Sequence, residues 1–336
     1  MNSPHHPARR SALQRTCAFA LAALAPCLVS AQPSTATGFP GKPVRIVVPF
    51  PPGGSTDLLA RRIAEKLTAT WGQTVLVDNR AGAGGTIGAD YVAKSPPDGL
   101  TLLMGVTGTN AIAGSLYPKL PYDAVKDFAP VTQVVSSPLV LVRNPSFPAR
   151  TVQELVAMLK AKPGSVSFGS PGSGTSMHLT GEMFKQAAKV SMVHIPYKGS
   201  AGALQDLMAG QIETMFGDFL VVWPQLQANQ LQAMAVTSKQ RHKMLPNVPT
   251  IAESGYPGFE ALSWQGLFAP AGTPQAIVEQ LNRDVNKALL EPDVQDYFGS
   301  RGFTLGGSSA AEFKTFIEGE VRKWGAIVKA SGATPD

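Results

Sequence analysis

Val47-Val48-Pro49-Phe50-Pro51-Pro52-Gly53-Gly54-Ser55-Thr56-Asp57 runs into Leu58-Leu59-Ala60-Arg61 near the start of the chain. Past the middle, Val166-Ser167-Phe168-Gly169-Ser170-Pro171-Gly172-Ser173-Gly174-Thr175-Ser176 runs into Met177-His178-Leu179. Each stretch reads as an apolar strand, a Pro/Gly/Ser loop, and a helix opened by small hydroxyl residues. A helix start exposes unpaired backbone N–H groups and carries a partial positive charge, so it attracts an anion. Two such starts in one chain predict two lobes that grip one negatively charged group.

Outward from these stretches, strand and helix alternate. The β-branched run Val44-Arg45-Ile46-Val47-Val48 reads as a strand buried on both faces. Leu59, Ile63, Leu67 and Trp71 recur every four residues, which makes one helix face apolar, and Gly72 ends that helix. Further strands are predicted at 75–77 and 100–104, with a helix at 86–94 between them. Residues 131–142 form a long extended segment that crosses into a second unit. That unit opens with Thr151 as N-cap and Glu154 as its capping-box partner. It continues with strands at 165–168, 192–195, 213–216 and 231–236, and helices near 176–188, 201–209 and 222–227. Residues 261–269 make the second long extended segment, the return crossing, followed by helices at 274–290, 292–301 and 310–331. The alternation predicts an α/β fold with a parallel sheet, and the two crossings predict a hinged two-lobe clamshell. The expected division is 42–142 for the first part of lobe one, 143–262 for lobe two and 263–336 for the return segment of lobe one.

The chain has 336 residues, 44% of them hydrophobic, enough for a full core. Its N-terminus reads as a secretory signal peptide over residues 1–31. Arg9, Arg10 and Arg15 precede an apolar run too short to span a bilayer, and Val29-Ser30-Ala31 offers a cleavage site after about Ala31. Arg9-Arg10 also admits the twin-arginine route. Cleavage there would take the formal charge from +6 to +3 and remove both cysteines, Cys17 and Cys27. The mature chain then has no disulfide and no Cys nucleophile, and its three histidines, His178, His194 and His242, are too scattered for a zinc signature. No basic run interleaved with aromatics points to nucleic acid.

Enzyme signatures fail on specific residues. No Gly-Lys-Ser/Thr follows a glycine loop. Residues 82–88 resemble a dinucleotide fingerprint, but Ile87 stands where its third glycine belongs, so a close-packed turn is expected. Ser173 has Pro171 two residues before it, so there is no nucleophile elbow. His178 could act as a base near Thr175 or Ser176, or serve as a hydrogen-bonded wall residue. Anion binding fares better. Gly53, Gly54, Ser55 and Thr56 offer backbone and hydroxyl donors from one lobe, and Gly172, Ser173, Gly174, Thr175 and Ser176 from the other. Asp57 would repel a bound carboxylate, so it is expected to hold the loop by accepting backbone N–H bonds or to hold a bridging water. Phe50, Tyr197 and Phe219 are candidate apolar walls, and Lys198 is either a counter-charge or a solvated lysine. Substituting Gly174→Asp or Ser55→Glu is expected to abolish anion binding by placing like charge in the site.

One family resemblance spans the whole mature chain. The run Lys42-Pro43-Val44-Arg45-Ile46-Val47-Val48-Pro49-Phe50-Pro51-Pro52-Gly53-Gly54-Ser55-Thr56-Asp57 resembles the opening of the Bug, or tripartite tricarboxylate transporter, solute receptors. The resemblance continues through Asn79-Arg80-Ala81-Gly82-Ala83-Gly84-Gly85, Pro97-Asp98-Gly99-Leu100-Thr101-Leu102-Leu103 and Leu120-Pro121-Tyr122-Asp123. It extends over His194-Ile195-Pro196-Tyr197-Lys198-Gly199, Val248-Pro249-Thr250-Ile251-Ala252-Glu253 and Gly266-Leu267-Phe268-Ala269-Pro270-Ala271-Gly272-Thr273-Pro274. It implies a type II periplasmic binding-protein clamshell, in the periplasm, that needs no cofactor. Such a receptor hands a small carboxylate, a di- or tricarboxylate, an aromatic acid or an amino acid, to a large and a small membrane subunit. The carboxylate-clasping role maps onto Gly54, Ser55, Thr56 and Asp57, and onto Ser170, Gly174, Thr175 and Ser176. The chain departs from the family after Phe216, where Asp and a small polar residue are usual and this sequence has Gly217-Asp218. Ligand identity is therefore not implied, and Asp218 becomes the candidate polar contact. A secreted carboxylate-acting enzyme and a ligand-sensing subunit of a signalling system are the alternative functions.

Overall fold

Residue preferences between positions 44 and 106 build a three-stranded parallel unit. β1 (Val44–Val48) is buried except at Arg45. α1 (Ser55–Trp71) turns Leu59, Ile63 and Leu67 inward, and Gly72 closes it in the left-handed conformation by donating its N–H to the Thr68 carbonyl. β2 (Val75–Asn79), α2 (Thr86–Ala93) and β3 (Thr101–Val106) follow, and β1 pairs in parallel with both β2 and β3. The computed structural model describes residues 1–2 and 38–335, so the expected signal peptide lies, beyond its first two residues, outside the described residues.

The chain then takes a single wide π turn at Gly108–Ile112 into α3 (Ala113–Leu116). β4 (Phe128–Arg143) runs unbroken for 16 residues despite Pro130 and Pro138. α4 (Val152–Ala161) is capped by Thr151, whose hydroxyl accepts the Glu154 N–H; the Glu154 carboxylate reaches Arg150 N–H rather than closing the predicted box on Thr151. Next come β5 (Ser167–Ser170), α5 (Ser176–Ala188), β6 (Val193–Pro196), α6 (Ser200–Met208) and β7 (Thr214–Asp218). α7 (Phe219–Gln227) starts three residues before its predicted start and is followed by β8 (Gln232–Val236). β9 (Leu262–Pro270), α8 (Gln275–Leu289), α9 (Pro292–Gly299), the short β10 (Thr304–Leu305) and α10 (Ala310–Ser331) complete the chain.

The strand order is β2-β1-β3-β9-β4-β7-β5-β6, with β8 and β10 also paired to β4. The sheet is mixed rather than parallel. β5 lies parallel to β6 and β7, whereas β9 and β4 run antiparallel to their neighbours because they are the two crossings. Residues 128–138 of β4 pair with β9, and residues 139–143 pair with β7 and β8. Thr237 fastens the crossing point: its hydroxyl accepts the Leu139 N–H at 2.9 Å and donates to the Ala261 carbonyl at 2.5 Å. This is a two-lobed α/β clamshell.

β9 is also where core and cleft meet. Trp264 is fully buried, and the indole N–H groups of Trp264 and Trp324 both donate to the Glu320 carboxylate of α10, each at 2.9 Å. Strand alternation then sends Ser263 and Gln265 to the opposite face. Among the described residues no helix is long and apolar enough to cross a membrane.

Candidate functional site

The parallel strands of both lobes end around one cavity of about 690 Å³. Clefts at the carboxyl ends of strands, where loops lead into helix starts, are the usual ligand sites of open α/β sheets. Here four helices start at the cavity wall, with Gly54 (α1), Thr175 (α5), Gly199 (α6) and Asp218 (α7) as N-caps. Gly54 has no side chain to cap α1, so the first-turn N–H groups of that helix are left for the cavity. A larger cleft of about 860 Å³ lies elsewhere, flanked by Lys239, Arg241 and Lys243, and none of the predicted site residues reaches it.

Of the residues singled out from sequence, Phe50, Gly54, Ser55 and Thr56 line the cavity from the first lobe. Gly174, Thr175, Ser176 and Asp218 line it from the second. Asp57, Ser170, His178 and Tyr197 stand one layer back. Asp57 is 2% exposed and accepts hydrogen bonds from the Gly53 N–H, Arg61 Nε and Asn79 Nδ2, each at 2.9 Å. Burial opposes its ionisation, but the Arg61, Gly53 and Asn79 bonds outweigh that and hold its pKa below the usual value. Asp57 therefore shapes the loop that presents Gly54 and Ser55. Asp57→Ala should cost about 2 kcal/mol in urea unfolding at pH 7, because it strands three donors. The sign of the shift makes this contribution complete above the ordinary carboxyl pKa of 3.8 and lost as pH falls through the lower folded value, so wild type and variant should converge in acid.

Ser170 is fully buried, with its Oγ 2.6 Å from His194 Nε2. His178 accepts the Gly174 N–H on Nδ1 at 3.0 Å, which puts its proton on Nε2, and its ring stacks on His194 with centroids 3.7 Å apart. The Thr175 hydroxyl donates to the Gly172 carbonyl at 2.8 Å and accepts the His178 backbone N–H, so it makes no hydrogen bond to the imidazole. His178 is thus a backing strut for the loop, and no base faces Thr175 from it. Tyr197 turns its hydroxyl to Asp206 at 2.7 Å. Phe219 is fully buried against Trp223 and His242, so it belongs to the core and not to the cavity wall. Lys198 is exposed and away from the cavity. Residues 82–88 form a close-packed turn: a Cβ on Gly88 would lie 2.9 Å from both the Arg80 carbonyl and Pro49 Cα.

Sequence reasoning missed Leu116, Ser200, Ser263 and Gln265, all at the cavity. Gly199-Ser200 repeats the strand–glycine–serine–helix pattern of the two opening stretches and could have been found by it. Ser263 and Gln265 are the polar residues of an otherwise apolar extended run, which is the signal of a strand with one face in a site. Gly217 packs without a side chain against Val222, 2.3 Å from where its Cβ would be, so the polar group at this corner is Asp218. Burial pushes the Asp218 carboxyl up to about 6, against the opposing hydrogen bond of the Ser263 hydroxyl.

Comparison with known proteins gives a consistent picture. Residues 59–333 match the family described as Tripartite tricarboxylate transporter family receptor. Protein BugT of Bordetella pertussis is 40% identical over 304 residues, 90% of this chain and 93% of that protein. Among solved structures, an R. palustris protein with adipate is 36% identical, with a TM-score of 0.80 over 89% of this chain and 100% of that one. MatC of Rhodopseudomonas palustris with bound malate is 33% identical, with a TM-score of 0.77 over 86% of this chain and 100% of that one.

Proposed function

Because the chain belongs to the tripartite tricarboxylate transporter family of solute receptors, we propose that it is an exported, non-catalytic receptor whose lobes close over a small carboxylate. The observation that carries this reading is the pair of helix starts, α1 and α5, that face one cavity from opposite lobes with Ser55, Thr56, Thr175 and Ser176 at their ends. A carboxylate between them would accept backbone N–H and hydroxyl bonds from both sides, and closure would strengthen each bond by removing water. Relatives of known structure carry adipate and malate, which supports the same ligand class.

In this reading lobe one comprises 42–142 and 263–336, lobe two comprises 143–262, and motion is centred on the two crossing strands, β4 and β9. The receptor is released into the periplasm by cleavage after about Ala31 and acts as a monomer. Its closed form delivers the ligand to the large and small membrane subunits of a tripartite transporter. An enzymatic role is disfavoured because His178 Nδ1, the nitrogen that would act as a base, already accepts the Gly174 N–H.

A thermal-shift screen over mono-, di- and tricarboxylates, aromatic acids and amino acids tests the reading. A ligand at a hundredfold excess over its Kd should add about 2.7 kcal/mol to stability and raise the melting temperature. Ser55→Glu should fold normally by circular dichroism and lose that rise, since its carboxylate would occupy the anion's place beside the α1 start. A rise only with a sugar or a cation, or an undiminished rise in Ser55→Glu, would defeat the carboxylate reading.

A further inference from the structure

Once a carboxylate is assigned to the helix starts, the rest of the cavity holds one unpaired acceptor and one carboxylate with no cation to meet them. Gln265 is 5% exposed, and its Oε1 is buried with no hydrogen-bond partner. Its Nε2 lies 3.5 Å from Ser55 Oγ, so the amide reaches from the anion-binding end of the cavity toward the floor. Asp218 supplies a second acceptor, bonded to the Ser263 hydroxyl two residues along the same face of β9. Among the described residues that line the cavity there is one carboxylate, Asp218, and no lysine or arginine. A buried acceptor left unpaired costs about 1–3 kcal/mol, and a carboxylate short of water seeks a cation.

Resting on the carboxylate reading above, we infer that the physiological ligand is an amino carboxylate, whose ammonium is held by Asp218 and Gln265 while its carboxylate sits at the α1 and α5 starts. The alternative, a dicarboxylate, would bring a second negative charge to a floor with no cation and one acid already present. It binds there only if Asp218 takes up a proton. The short reach of the Gln265 amide between Ser55 and the floor places the ammonium close to the carboxylate, as in an α-amino acid. The rest of the cavity, with Phe50, Leu116 and Met177 in its wall, accepts an apolar or amide side chain.

The two ligand classes predict opposite pH dependences. An ammonium binds ionised Asp218, releases its proton, and therefore loses affinity as pH falls below about 6. A second carboxylate needs the protonated form and gains affinity over the same range. Isothermal titration calorimetry should compare matched pairs, leucine with isocaproate, phenylalanine with hydrocinnamate, and glutamate with glutarate, between pH 5 and pH 8. The amino member of at least one pair should bind about tenfold to a hundredfold more tightly at pH 8, with the preference shrinking toward pH 5. In Asp218→Asn the difference within that pair should collapse. Equal binding within every pair, or a dicarboxylate that binds best and tightens as pH falls, would overturn the inference and leave the carboxylate site standing. Failure of every carboxylate to bind would remove both.

Discussion

Gly174→Ala should lower ligand affinity by about tenfold to a hundredfold although it adds no charge to the cavity. Gly174 has φ of +74°, a conformation that costs a side-chain-bearing residue about 1–2 kcal/mol. A Cβ there would also lie 2.0 Å from Leu116 Cδ2. Leu116 comes from the first lobe and Gly174 from the second, so the collision burdens the closed arrangement and is relieved when the lobes part. The same amide N–H is tied back to His178, which leaves the loop little room to shift. Calorimetry with the ligand found by the thermal screen measures the loss. Adding Leu116→Ala to the variant should recover the part due to the collision; a double variant no tighter than the single one would show that the contact does not limit closure. The same geometry means that Gly174→Asp cannot separate charge from shape, which is why Ser55→Glu is the better probe of the anion site.

Trp264→Ala should destabilise the protein by about 3–5 kcal/mol, a drop of roughly 5–10 °C in melting temperature. The indole is fully buried, meets Phe313 and Phe316 edge-on with centroids 6.0 and 5.6 Å away, and bonds Glu320. Its removal leaves a cavity and takes one of two indole donors from a buried carboxylate that Lys323 also pairs with. Glu320→Leu should approach the same loss by a different route, leaving both indole N–H groups without an acceptor. Because Trp264 lies between Ser263 and Gln265, loosening it should weaken ligand binding as well. Urea unfolding of the two variants checks the stabilities, and a cost below about 1 kcal/mol for Trp264→Ala would show that the core closes without this side chain.

The sequence pattern carried the architecture well wherever a periodic face met the core. The four-residue spacing of Leu59, Ile63 and Leu67 locates α1, and the predicted bounds of α5 and α10 coincide with those observed. Residues 108–116 escaped because they are glycine-rich and too short for a period to show; their helical turns are held by packing against α10. The antiparallel crossings could be placed but not oriented, since extended residues look alike in either direction. At the site, sequence identified the loops better than the side-chain directions within them. Thr175 and Ser176 face the cavity while His178, two residues on, turns back to brace Gly174. Asp57 follows Thr56 directly yet points behind the loop at Gly53. One residue along a helix start rotates a side chain by about 100°, and only the packed fold says which of them meets the ligand.

The placement of α10 has a consequence for how the protein comes into being. This last helix packs on β4, α3 and α5, its Glu320 holds Trp264, and its Phe313 lies against Phe268 with ring centroids 5.1 Å apart. Neither half of the sheet therefore has its full complement of partners until residues 310–331 have been synthesised. A chain stopping before Ala310 should show no cooperative melting transition, and a nascent chain at that stage should remain open to proteases. Such late completion delays the native state until residues 310–331 are available, which would suit a chain exported unfolded, as the proposed periplasmic role requires.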